Sequence, residues 1–201
     1  MSVCPTRRHL EKLLPFRGIR SPQCSLQLHE MDLSPSLQQA AEIYLMGKPR
    51  LLMARGSLSE VTMQLEAKCS EPARPLVQDM LVLAELYRAV SGHQNLHVRL
   101  ERITTDSCRK FHVDCVDLRL LRTYVGPGVQ WTADQGHSVH EARTGAVVFL
   151  KGKHFPRWSE AEKILHRSPP LSSRPAEERV RLLLTIDEAG ACGDANFDMV
   201  A

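Results

Sequence analysis

Near Asn95 the apolar period of the chain changes, and that change restricts the fold more than any other feature. Before it, apolar residues recur at helical spacing. Leu37, Ala40, Ala41 and Tyr44 follow Ser34, a good N-cap, and Pro35, which suits the first helical position; Gly47 and Pro49 end the run. Ser57 and Glu60 form a capping box ahead of Val61 and Leu65. Leu76, Met80, Leu83, Ala84, Tyr87 and Val90 make the stripe of a third helix, which begins near Pro75 and stops at Ser91-Gly92. Past Asn95 the period is two. Leu96, Val98 and Leu100 alternate with His97, Arg99 and Glu101. Val116, Leu118, Leu120 and Tyr124 alternate with Asp117, Arg119 and Thr123, and Val180, Leu182, Leu184 and Ile186 with Arg181, Leu183 and Thr185. Gly126-Pro-Gly128 forces a tight turn, after which Val129–Thr132 pairs back. Ala146–Leu150 is a continuous apolar strand ending at Lys151-Gly152, and Lys163–Leu165 leads into His166.

Short strands with Gly/Pro turns and no helices between them imply an antiparallel sandwich or barrel. The expectation is an α+β chain, helices first and sandwich second, in one folded unit. An irregular arm covers 1–33, with a short helix near Arg8–Leu14. The helical part covers 34–92, the β-sandwich core 93–187, and a frayed tail 188–201.

Composition removes several functions. A net charge of +3 is too small to argue for nucleic acid. No apolar run approaches the eighteen or so residues of a membrane span. Arg7, Arg8, Lys12, Arg17 and Arg20 lie near the N-terminus without the apolar stretch of a secretory signal. The cysteines, Cys4, Cys24, Cys69, Cys108, Cys115 and Cys192, include no C-x-x-C pair, which argues against a zinc ribbon or a thioredoxin-type motif. A cytoplasmic protein with reduced thiols follows, with neither nucleic acid nor membrane as partner.

Chemistry concentrates in Cys108-Arg-Lys-Phe-His-Val-Asp-Cys115, answered later by Leu165-His-Arg-Ser-Pro-Pro170. On a strand, His112 and Asp114 project from one face and Val113 from the other. An imidazole beside a carboxylate makes two-thirds of a mononuclear metal site, and His166 would complete a 2-His-1-carboxylate triad. The bland alternative is a satisfied polar pair of His112 and Asp114. Cys108 and Cys115 flank the pair and could touch a metal, but are read first as small buried hydrophobes. Pro169 and Pro170 stiffen the exit from His166, which either shapes a turn or fixes the ring for a metal. Ser168 has no base beside it and is not read as a nucleophile. His93, His97, His137, His140 and His154 are expected in solvent.

Phe111-His-Val-Asp114, Leu118-Arg-Leu-Leu-Arg-Thr-Tyr124, Gly126-Pro-Gly128 with Trp131, Leu150-Lys-Gly152, His166-Arg-Ser-Pro-Pro170 and Arg181-Leu-Leu-Leu-Thr-Ile-Asp187 occur in this order. Together they resemble a bacterial domain of unknown function, family 1826, from the Leu76–Val90 helix to Asp187. Members tend to be encoded near CobW-type metal-handling GTPases in zinc-responsive gene sets, which implies metal biology and assigns no reaction. Cys115 and Val129 depart from the family pattern without removing a candidate ligand.

The H-x-D…H order also resembles the 2-oxoglutarate/Fe(II) dioxygenases, whose core is a double-stranded β-helix of the jelly-roll or cupin kind. That resemblance implies Fe(II) on His112, Asp114 and His166, and an Arg beyond the distal His that grips the oxoglutarate carboxylate. Arg181 fits that place, with Arg174 and Arg179 as runners-up; its bland alternative is a surface Arg paired with Asp or Glu. Of Arg119 and Tyr124, which fall on opposite strand faces, Tyr124 is the candidate for lining the cofactor cavity. Three classes therefore stand: a non-haem Fe(II), 2-oxoglutarate-dependent oxygenase of unspecified small-molecule or protein substrate; a non-catalytic zinc protein of metal homeostasis on the same fold, with Cys108 or Cys115 as fourth ligand; and a partner-binding sandwich without metal.

Overall fold

A computed structural model describes residues 14–47 and 49–191. The three expected helices form where their caps place them. Helix α1 spans Pro35–Met46, with the Ser34 hydroxyl accepting from the Leu37 N–H at 3.3 Å. Helix α2 spans Leu58–Ala67 behind the reciprocal Ser57/Glu60 box. Helix α3 spans Arg74–Ser91 and stops at Gly92, whose φ of 86° is the left-handed value that glycine takes without strain. None of these helices is long and apolar enough to cross a membrane.

Nine strands follow among the described residues: β1 Leu26–His29, β2 Leu51–Ser57, β3 Asn95–Ile103, β4 Leu118–Val125, β5 Gln130–Thr132, β6 His140–Glu141, β7 Val147–Lys151, β8 Leu165–Arg167 and β9 Arg181–Glu188. They make a six-stranded sheet in the order β1-β7-β4-β9-β3-β2 and a three-stranded sheet in the order β6-β5-β8. Every pairing is antiparallel, as the sequence led us to expect.

Two boundaries differ from expectation. The arm over 1–33 is not irregular where it is described: Leu14–Arg20 is a 3-10 helix and β1 pairs with β7. Phe16 (2% exposed) and Ile19 (0%) are core residues, and Phe16 packs on Phe149 with ring centroids 4.9 Å apart. Leu26 and Leu28 do alternate with Gln27 and His29, but four residues are too few for the period to register. The expected helix near Arg8–Leu14 lies almost wholly outside the described residues, as does the tail from Cys192. The segment 34–92 is also not purely helical, because β2 lies within it and pairs with β3. Its partner is distant in sequence, and Arg55 and Gly56 interrupt its apolar pattern. Finally, β5 pairs with β6 and β8 rather than back onto β4.

The larger sheet separates two apolar layers. Leu118, Leu120 and Tyr124 of β4, Leu182, Leu184 and Ile186 of β9, and Leu96, Val98 and Leu100 of β3 face the helices. There the Tyr87 hydroxyl donates to the Leu118 carbonyl at 2.7 Å, fastening α3 to β4. Leu121, Leu183, Val148, Leu150 and Ile103 face the smaller sheet and meet Val129, Ala142 and Leu171. Fully burying one such side chain contributes about 1.5–3 kcal/mol, so both layers hold the sandwich closed. The open end of this second layer holds the polar cluster.

Candidate metal centre

His112 lies on no strand proper. Its N–H donates to the His166 carbonyl at 3.0 Å and the His166 N–H returns the bond at 2.9 Å, so the two form an isolated antiparallel bridge beside β8. Residues opposed in this way send their side chains to one face. The rings accordingly stand with centroids 4.6 Å apart. Asp114 reaches the same place from a segment pinned by backbone bonds from Lys153 to Asp114 (2.9 Å) and from His154 to Val116 (3.0 Å). Gly152 permits that approach, since a Cβ there would stand 2.1 Å from the Val116 carbonyl oxygen.

The three side chains converge. Asp114 Oδ1 is 3.4 Å from His112 Nε2, and Asp114 Oδ2 is 2.9 Å from His166 Nε2. One candidate ligand atom from each residue lies within 4.8 Å of the other two. His112 Nδ1 is 2.8 Å from the Lys110 carbonyl, which can only accept, so Nδ1 carries the proton and Nε2 keeps its lone pair for a ligand. Arg119 lies beside the triad, its Nη1 2.8 Å from Asp114 Oδ2, while its Nε and Nη2 each donate to Asp187 at 2.7 Å. Despite these neighbours Asp114 Oδ2 is buried without a hydrogen bond of proper alignment, and so is His166 Nδ1. A buried carboxylate oxygen short of hydrogen bonds, facing two imidazoles, is a donor set that fits a divalent cation.

The electrostatics agree. Burial pushes the Asp114 carboxyl up, but His112, His166 and Arg119 outweigh it and hold the group well below the usual carboxylate range. The contact with Asp114 raises the His112 pKa against the opposing effect of burial.

The triad opens into a cavity of about 340 Å³ that also holds Arg181, Ser168, Leu121, Leu183 and Val129. Small-molecule sites run from roughly 300 to 1,000 Å³. Arg181 is 1% exposed. Its Nε donates to the Pro127 carbonyl at 2.7 Å, Nη1 to Ser168 Oγ at 3.0 Å and Nη2 to Thr123 Oγ1 at 3.3 Å. The Gly126-Pro-Gly128 turn delivers that carbonyl: Gly126 has φ 80°, and a Cβ on it would stand 2.1 Å from the Val180 oxygen. Among the described residues Arg181 forms no ion pair, and burial lowers its pKa to about 10, still cationic at neutral pH.

His112, Asp114, His166 and Arg181 thus line one cavity. Tyr124 does not join them. It is 2% exposed on the helix side of β4, with its hydroxyl donating to Asp79 Oδ2 at 2.6 Å. It shares the face of Leu118 and Leu120, which the helices cover, so the cavity falls to Arg119 on the opposite face. Strand parity separates the two residues in the sequence, but it does not say which face the helices cover. Arg174 pairs with Glu141 and Arg179 with the Arg174 carbonyl, both outside the cavity. Cys108 lines the cavity, yet neither it nor Cys115 joins the ligand cluster. His97 is buried on β3, and His93 lies 2.7 Å from Asp117, contrary to the exposure expected of both.

Two solved structures share this architecture. The dioxygenase for auxin oxidation 1 from Arabidopsis thaliana, determined as a 2-oxoglutarate complex, superposes with a TM-score of 0.53 at 11% identity, over 93% of this chain and 89% of its own. A Pseudomonas putida prolyl-4-hydroxylase gives 0.51 at 11% identity, over 88% and 97%. At such identity the likeness establishes the fold, the double-stranded β-helix with helices on one side. Among curated proteins none matches the sequence. A family model does, over residues 11–187, and the chain belongs to the family it describes, the protein of unknown function DUF1826.

Proposed function

We propose that the chain is a non-haem Fe(II), 2-oxoglutarate-dependent oxygenase. The observation that carries this reading is Arg181: a buried guanidinium with no acid partner, in the cavity of a His-Asp-His cluster. A buried cation is costly unless an anion meets it. A dicarboxylate with one end at Arg181 and the other at the triad supplies that anion. Of the two superposed structures one is an oxoglutarate-bound dioxygenase and the other a prolyl-4-hydroxylase, which supports the same choice.

Each residue then has a task. His112, Asp114 and His166 would hold Fe(II). Bound iron would supply dioxygen activation, coupling decarboxylation of the keto acid to oxidation of a second substrate. Arg181 receives the distal carboxylate as a planar fork, and the Ser168 and Thr123 hydroxyls, which now accept from it, fix its plane. Leu121, Leu183 and Val129 flank the intervening methylenes and exclude water. A zinc-holding protein would draw a fourth ligand from Cys108 or Cys115, and neither stands with the triad, so we favour the open three-ligand site.

The test is metal content, oxoglutarate affinity and succinate formation in protein purified without a His-tag. Wild-type protein should take up one Fe(II), bind oxoglutarate and release succinate. Arg181→Gln should lose affinity for oxoglutarate roughly ten- to hundredfold, since a charge-assisted hydrogen bond contributes about 1.5–3 kcal/mol, while keeping its metal. Metal uptake without any oxoglutarate binding would refute the proposal.

A further inference from the structure

Arg119 is tied to a candidate ligand from outside the triad. It stands on β4 and its partner Asp187 on β9, adjacent central strands of the larger sheet. Both oxygens of Asp187 accept from Arg119 at 2.7 Å, a two-pronged contact that fixes the guanidinium plane. The remaining nitrogen, Nη1, is thereby set 2.8 Å from Asp114 Oδ2. Asp187 is 4% exposed and the Asp114 side chain 12%, so solvent does little to loosen the arrangement. Asp114 itself lies on no regular strand.

We propose that Arg119, braced by Asp187, is a positioning residue that holds Asp114 to single-oxygen ligation of the metal. The inference rests on the triad's binding a divalent cation. A carboxylate left to rotate can bind an ion through both oxygens and use up a coordination position. A guanidinium fixed against Oδ2 opposes that rotation and leaves Oδ1, 3.4 Å from His112 Nε2, as the single ligand oxygen, so the position stays open for an incoming ligand. Groups that orient a ligand in this way commonly change metal affinity ten- to hundredfold when removed.

The test uses Co(II) as probe, read by affinity and by the visible bands of the bound ion. Arg119→Gln alone would leave the buried Asp187 uncompensated and risks misfolding. The pair Arg119→Gln with Asp187→Asn removes one charge of each sign, leaves no buried charge stranded and keeps the net charge unchanged. Expected is a roughly ten- to hundredfold weaker Co(II) affinity with altered visible bands, in protein whose circular dichroism matches wild type. Wild-type affinity with an unchanged spectrum in the double variant would overturn the positioning role and leave the triad standing. Co(II) binding that is absent in wild type, or unaffected by His112→Ala and His166→Ala, would overturn the triad and this inference together. A double variant that fails to fold would show the pair to be structural and would also overturn it.

Discussion

Strand β4 carries an arginine–carboxylate cluster on each face, and the two are built differently. On the helix side Arg122, 3% exposed, meets Asp79 at 3.1 Å, and the Tyr124 hydroxyl takes the other Asp79 oxygen at 2.6 Å. Both oxygens of that acid are occupied. On the cavity side Arg119 satisfies both oxygens of Asp187, while Asp114 Oδ2 has close cationic neighbours and no aligned hydrogen bond. The carboxyls respond in opposite directions. Burial raises the Asp79 pKa in spite of Arg122 and Tyr124, whereas the groups around Asp114 overcome burial and hold it down. A single ion pair and one hydroxyl therefore do not offset the burial of the Asp79 carboxyl. Around Asp114 three groups, His112, His166 and Arg119, converge on one carboxyl and together outweigh its burial.

The sharpest way to break this comparison is to remove each acid and titrate Co(II). Asp114→Ala should end measurable binding, a loss beyond the ten- to hundredfold typical of supporting groups, while Asp79→Ala binds as wild type does. Equal affinity in the two variants would erase the distinction. Urea unfolding should then invert the order. Asp79→Ala strands the buried Arg122 and should lose about 3–5 kcal/mol. Asp114→Ala should lose less, because Arg119 retains Asp187. A smaller effect is expected for Tyr124→Phe, at about 1.5–3 kcal/mol of stability for a hydrogen bond to a charged acceptor, with oxoglutarate affinity unchanged. Weakened oxoglutarate binding in that variant would return Tyr124 to the cavity.

The smallest effect is in acid. Asp114 has a depressed folded pKa, so its stabilising contribution is present above the unfolded value near 3.8 and fades as pH falls below it. Asp79 has a raised folded pKa, so its contribution is largest below about 3.8 and fades as pH rises through the folded value. The stability gap between metal-free wild type and Asp114→Asn should narrow on acidification, and the gap to Asp79→Asn should widen. Denaturation midpoints from neutrality to pH 3 would show whether the two curves diverge.

What the sequence made legible follows from how local each signal is. Capped helices and the alternation of β3, β4 and β9 are written in neighbouring residues, and so is the shared direction of His112 and Asp114. His166 is a candidate through the H-x-D…H order, and Arg181 only through the resemblance which that order carries, with Arg174 and Arg179 as alternatives. The strands β1 and β2 were not legible, since their pairing with β7 and β3 is a long-range choice and their own patterns are short. Choosing Tyr124 over Arg119 was a different error. The face of β4 was readable, but which face the helices would cover had to be inferred from the whole sandwich. Asp187 belongs to the site through Arg119 alone, a pairing that no spacing rule announces.

Exposure along the cavity is graded, and the gradient bears on kinetics. The His112 side chain at one end is 37% exposed, and Arg181 at the other is 1% exposed beneath the Pro127 carbonyl. Under the proposed function, a ligand that entered by the exposed His112 end would pass the triad on its way to Arg181. The deep occupant would then bind first and leave last, and an outer occupant would slow its departure without touching it.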